Sequence, residues 1–152
     1  MDVDTGTLFL ALLSVAAEVA VALVVVVALT SRSALRRVRD VLGEQSLQLA
    51  FVVALVSTVG SLWLSEGAHF TPCRLCWYQR IAMYPMAVVL GVAAFRRAPG
   101  EAFAYAIVLP VVGVLVSIYH VWIENHPNQQ GAGCKVGGTT CATKWIDKLG
   151  YI

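Results

Sequence analysis

Four stretches of this chain are long and apolar enough to cross a bilayer, and they restrict the fold more than any other feature. Residues 7–30 carry one ionisable side chain, Glu18, in twenty-four positions, and residues 47–64 carry none. Residues 77–95 are apolar except for Gln79 and Arg80 at their start, and residues 102–123 except for His120 near their end. A helix rises about 1.5 Å per residue and the hydrocarbon core is roughly 30 Å thick, so each stretch can span with modest tilt. Backbone groups in lipid must satisfy one another, which selects helices over buried strands. The sequence therefore predicts an all-α fold: a polytopic four-helix membrane bundle, one domain over 1–152, ending in a polar tail at 124–152.

Composition agrees. Hydrophobic residues make up 59% of the 152 and charged residues 13%, against about 25% charge in a soluble domain. Such a chain is not disordered, is not a basic-patch nucleic-acid binder and is not a free-standing cytosolic enzyme. The first stretch does not read as a cleaved signal peptide, because it opens on the acidic Asp2 and Asp4 and its apolar run is too long. Glu18 lies near the middle of that span, where a carboxylate must be protonated or paired; a neutral Glu bonded to a neighbouring helix is the plainer expectation. Pro85 and Pro110 fall inside spans and should bend them, while Gly91, Ala93, Ala94 and Gly113 permit close helix approach.

Orientation follows from the connections. Arg32, Arg36, Arg37 and Arg39 lie between spans one and two, Arg96 and Arg97 between spans three and four, whereas residues 65–76 contain only Arg74. Positive charge collects on the cytoplasmic side, which puts the segment before span three and the tail outside, although Lys135, Lys144 and Lys148 in the tail weaken the bias.

All four cysteines fall on that outer side. Cys73 and Cys76 form a Cys-x-x-Cys pair directly before span three; Cys134 and Cys141 lie in the tail with six residues between them. At a helix N-terminus the free amides and the dipole favour a thiolate, and Cys76 is expected at or just before that terminus. Arg80 follows one turn later on the same face, where its guanidinium would lower the thiol pKa and hydrogen-bond an anionic oxygen; the plainer alternative is an interfacial anchor. Three readings of the cysteines compete. Zinc is poorly served by the wide second spacing and by the lack of a paired His. Two static disulfides are possible. A relay in which thiol–disulfide exchange passes an electron pair from the tail to the helix end accounts best for a Cys-x-x-Cys pair beside an Arg at a membrane surface. The sequence carries no haem, flavin or iron–sulfur motif, so the final acceptor is expected in the bilayer itself, a quinone.

The run Pro72, Cys73, Arg74, Leu75, Cys76, Trp77, Tyr78, Gln79 and Arg80, continued to Tyr84 and Pro85, closely resembles the signature of the DsbB family of membrane disulfide-forming quinone reductases, nearest its BdbC-like branch. Tyr119 with His120, and the stretch from Cys141 through Trp145 to Gly150, match in order, so the resemblance covers 47–152. It implies roles by position. Cys134 would form a mixed disulfide with a DsbA-like, thioredoxin-fold partner outside the cytoplasm, and Cys141 would pair transiently with Cys73. Cys76 would be the quinone-proximal thiol, Arg80 would stabilise its thiolate and the reduced quinone oxygen, and His120 would line the quinone site. The acceptor would be ubiquinone or menaquinone, the location a bacterial cell membrane. No metal site and no nucleic-acid partner are implied.

A vitamin-K-epoxide-reductase-like protein is the nearest rival, but there the loop cysteines precede the Cys-x-x-Cys pair; a scaffold with two structural disulfides is the non-enzymatic one. The family normally has a further helix after its second cysteine pair, whereas this sequence runs eleven residues beyond Cys141. Span one, running in the direction of that helix, is expected to take its place. Trp145, Leu149 and Ile152 recur at helical spacing opposite Lys144, Asp147 and Lys148, which predicts a short amphipathic surface helix.

Overall fold

The computed structural model of the chain describes residues 2–43, 45–97, 99–129, 131, 134 and 139–143. Five α-helices run in the order α1 (Val3–Thr30), α2 (Arg32–Gly43), α3 (Ser46–Leu62), α4 (Arg74–Arg96) and α5 (Pro99–Asn125), and no strand ladder forms among the described residues. Four segments have the length and apolarity to cross a membrane: Val3–Thr30, Ser46–Gly67, Arg74–Arg96 and Ala104–Asn125. The protein is all-α and multi-pass, as its apolar runs require. The amphipathic helix expected after residue 143 lies outside the described residues.

The chain divides into two compact units. The first contains α1 and α2. Ser31 separates them: its backbone is extended, its carbonyl accepts from Leu35 N–H and its Oγ accepts from Ala34 N–H at 3.3 Å. A serine in that position supplies the acceptor that the free first-turn amides of α2 need. From its sequence this stretch reads as an arginine-rich connection. It is helical because Ala34, Leu35 and Val38 fall at helical spacing and are half-buried, while Arg32, Arg36, Arg37 and Arg39 share the exposed side. Glu18 is exposed on α1, contrary to the expected buried carboxyl.

The second unit contains α3 to α5 and all four cysteines. Ala54, Ala87, Leu90 and Ala93 form a buried seam between α3 and α4, backed by Phe51. Small residues let the helices meet: a Cβ on Gly91 would stand 2.8 Å from the Phe51 ring, so that position admits no side chain without repacking. Gly113 faces Ala82 across α4 and α5 at ordinary contact distance, 3.7 Å from the same hypothetical atom. Gln79 reaches over the same interface to Ser117 Oγ at 2.9 Å, and Ser117 in turn donates to the Gly113 carbonyl. Both helices run through their prolines, Pro85 and Pro110. Apolar side chains left exposed, such as Val88 (66% exposed) and Phe95 (85%), would be unstable in water and belong in lipid.

Beyond α3 the chain widens into a π-helical turn, Trp63–Gly67, in which Ala68 N–H reaches the Trp63 carbonyl. It then turns through His69, whose φ of 57° is left-handed, and enters α4. Arg97, with φ 53°, closes α4 by donating its N–H back to Ala94.

Candidate active site

α4 starts three residues earlier than its apolar run, at Arg74, and Cys73 is its N-cap. The Cys73 backbone is extended, and its Sγ accepts the Cys76 N–H at 3.2 Å. The expectation that Cys76 itself sits at or before the helix end is therefore corrected: Cys76 lies inside the first turn, and the sulfur that meets the free amides is that of Cys73. The spacing of a Cys-x-x-Cys pair produces this, because a cap accepts from the amide three residues on.

Burial concentrates here. Cys73, Leu75, Ile123, Cys134 and Cys141 form one buried cluster, with Cys76 and Val116 packed against it. Ile123 and Cys141 are completely inaccessible. Cys134 and Cys141 are joined as a disulfide with Cα atoms 5.5 Å apart, whereas Cys73 and Cys76 are free thiols. A zinc site made by all four cysteines is thereby excluded, since the tail sulfurs are bonded to each other.

His120, from the C-terminal part of α5, ties the two pairs together. Its Nε2 lies 3.1 Å from the Cys141 carbonyl, 3.5 Å from Cys73 Sγ and 3.5 Å from Glu124 Oε1, one turn further along α5. A carbonyl and a carboxylate only accept, so Nε2 is the protonated nitrogen. It donates best to Cys141 and presents positive edge charge to the Cys73 sulfur. The Cys73 thiol is accordingly held far below its ordinary value, at about 4. The largest cause is the hydrogen bond from the Cys76 thiol. Burial opposes it, and His120 and the Cys76 amide add to it. At neutral pH Cys73 is a thiolate, clamped between a helix end and an imidazole.

Arg80 is half-buried and lies on the same helix as Cys76, one turn deeper. Its Nη2 donates to the Ser61 carbonyl at 2.9 Å and its guanidinium lies over the Trp77 ring, 5.4 Å from the centroid. That bond fixes the group next to α3, with further N–H donors for a ligand. Another turn along α4, the Tyr84 hydroxyl is buried without a hydrogen-bond partner among the described residues.

Sequence reasoning missed Glu124, Ser61, Tyr84 and the Cys141 carbonyl. Glu124 follows His120 by one helical turn and was visible in principle; the others act through tertiary placement. Two kinds of group are offered a place here. Cys73 Sγ, Cys76 Sγ and a His120 ring nitrogen all lie within 4.8 Å of one another, close enough for a metal ion. The guanidinium and the orphaned phenol could instead meet the oxygens of a flat, uncharged ligand.

The family model described as "Disulfide bond formation protein DsbB" matches residues 44–150, so α1 and α2 lie outside the matched region. Disulfide bond formation protein C of Bacillus subtilis is 40% identical over 108 residues, covering 70% of this chain and 76% of that protein. Probable disulfide formation protein C 2 of Bacillus cereus is 33% identical over 106 residues, 70% of this chain and 75% of that protein. The SPbeta prophage-derived disulfide bond formation protein B of Bacillus subtilis is 34% identical over 104 residues, 68% and 69%. No solved structure matches the chain.

Proposed function

The chain belongs to the DsbB family of membrane oxidoreductases that form disulfides, and from that premise we propose that it reoxidises a DsbA-like thiol oxidase and delivers the electrons to a membrane quinone. The observation that carries this reading is the single imidazole, His120, touching both a Cys73 sulfur and the backbone of Cys141. It keeps the two redox pairs in one buried cluster, which is what exchange between them requires.

The relay balances as follows. A thiolate of the reduced partner attacks Cys134 Sγ, breaking the Cys134–Cys141 disulfide and releasing the Cys141 thiolate. Cys141 attacks Cys73 Sγ in an oxidised Cys73–Cys76 pair, and the Cys76 thiolate leaves. The partner's second thiol attacks its own sulfur in the mixed disulfide and departs oxidised. Cys134, now free, attacks Cys141 and restores the tail disulfide, leaving Cys73 and Cys76 as the dithiol. That is the state of the structure: tail joined, helix end reduced. Closing the Cys73–Cys76 disulfide again then requires loss of two electrons and of the one proton on the Cys76 thiol, Cys73 being already a thiolate.

Quinone supplies the oxidising power when bound. The residues present fit one. Cys76 lies in the first turn, the Arg80 guanidinium one turn deeper has donors for a ring oxygen, and the unpartnered Tyr84 hydroxyl continues the line down α4. The chain's own work is to hold the Cys73 thiolate, orient Arg80 through Ser61 and exclude water from the cysteine cluster. The arginine-rich connections support a cytoplasmic placement for the opposite ends of the helices, with the cysteines outside a bacterial cell membrane.

The uneven pairing favours the relay over a static scaffold, which needs both pairs joined. The decisive test is quinone reduction by the purified protein with a reduced thioredoxin-fold dithiol protein as donor, ubiquinone and menaquinone analogues as acceptors, and Cys76→Ser as control. Turnover that vanishes in the variant is expected. Folded protein that reduces neither analogue overturns the proposal.

A further inference from the structure

The reduced helix-end pair has a second chemical capacity. We propose that Cys73, Cys76 and His120 form a zinc-binding site that exists only in the dithiol state and arrests the chain there. The inference rests on the relay reading only for its inhibitory consequence; the binding itself does not.

Zinc takes thiolate sulfur at about 2.3 Å and imidazole nitrogen at about 2.0–2.1 Å, so tetrahedral ligands of these kinds stand about 3.6 Å apart (S to N) and about 3.8 Å apart (S to S). Cys73 Sγ and His120 Nε2 are already 3.5 Å apart, and all three ligand atoms fall within 4.8 Å of one another. The Cys76 sulfur, carried by the first helical turn, lies within that same 4.8 Å. Three protein ligands leave the fourth position for water. Charge also favours the ion: two thiolates neutralise a dication, so a buried cluster gains a neutral centre where a lone thiolate would be costly.

Binding is not a redox step. The Cys76 thiol gives up its proton, and the His120 proton moves from Nε2 to Nδ1 so that Nε2 can ligate. The Cys141 carbonyl, now served by that Nε2 at 3.1 Å, loses its donor. Zinc therefore does two things at once. It occupies both sulfurs that must join in the disulfide, and it removes the hydrogen bond holding the tail pair beside Cys73. A site of all four cysteines is excluded by the tail disulfide; this site differs because its third ligand comes from α5, forty-seven positions away from Cys73.

The test titrates cobalt(II), then zinc(II), into the full-length reduced chain carrying Cys134→Ser and Cys141→Ser, which leaves two thiols. Expected are one ion per chain, thiolate-to-cobalt charge-transfer bands with the intense visible bands of a four-coordinate ion, and displacement by zinc. Oxidising Cys73 and Cys76 should abolish binding, and His120→Ala should weaken it by roughly tenfold or more. Zinc X-ray absorption on the unmutated chain, needing no variant to fold, should find two sulfurs and one imidazole nitrogen. An unchanged affinity in His120→Ala, a first shell without imidazole, or equal binding by the oxidised chain overturns the site. Zinc bound in this way to a chain that reduces no quinone would refute the relay and keep the site; quinone reduction undisturbed at saturating zinc would refute the arrest.

Discussion

The two cysteine pairs share one buried cluster but are held in opposite ways. Cys73 and Cys76 lie at the end of a 23-residue helix, where a backbone amide and an imidazole face the Cys73 sulfur. Cys134 and Cys141 close a short stretch of tail over Leu75 and Ile123, an apolar surrounding that offers a thiolate little. In the proposed relay, holding Cys73 ionised would stabilise the dithiol form of its pair and make that pair the stronger oxidant of the two. Electrons would then run downhill from the tail to the helix end. On that reading the anchoring element, more than the sulfur chemistry, assigns the proposed roles: a loop pair for exchange with other proteins and a helix pair for the acceptor.

The sharpest way to break this comparison is to remove the loop pair. Cys134→Ser or Cys141→Ser should abolish turnover with a protein donor while leaving quinone reduction by a small dithiol that reaches Cys73 and Cys76 directly. Equal loss with both donors would mean that the pairs are not in series. Next in size is the difference in potential. Equilibration with glutathione buffers, followed by mass spectrometry of alkylated cysteines, should give the helix-end pair the higher potential, and the reverse order would end the downhill account.

The ionisation of Cys73 can be read directly. In metal-free protein with the tail disulfide intact, ultraviolet thiolate absorbance should show an inflection near pH 4 instead of in the ordinary thiol range. The sign follows from linkage: the folded value lies below the unfolded one, so the stabilisation is complete above the unfolded thiol value. It is lost as the pH falls through about 4. His120→Ala should move the inflection upward. No movement would leave the cap and the Cys76 thiol as the whole cause.

The smallest effects concern the rigidity of the helix platform. Gly91→Ala drives a methyl group into Phe51 and should cost about 1–3 kcal/mol in unfolding experiments in detergent. Gly113→Ala meets only ordinary contact and should be neutral or stabilising by up to ~1 kcal/mol, the helix propensity difference. Similar costs at both positions would show that the seam between α3 and α4 is looser than its geometry.

Much of this was legible in the sequence, for reasons that differ by element. Spans are written as runs of apolar residues because lipid leaves no alternative, and α3, α4 and α5 extend at most a few residues beyond their runs. The N-terminus of α4 was misplaced because Ser, Thr, Asp and Asn announce a cap and a cysteine does not. α2 was hidden because its arginines dominate the eye while Ala34, Leu35 and Val38 carry the helical spacing. His120 was found, but its contact with Cys141 depends on the path of the tail after α5, which no local pattern encodes.

The cap has one more consequence. A sulfur that accepts an amide proton as a thiolate is a much poorer acceptor once bonded to another sulfur. In the proposed relay each turnover would therefore make and break a backbone hydrogen bond at the mouth of α4, between Cys76 N–H and Cys73. The amide proton of Cys76 would then be a clock hand for the electron count, expected to exchange slowly with solvent deuterium when the pair is full and fast when it is empty.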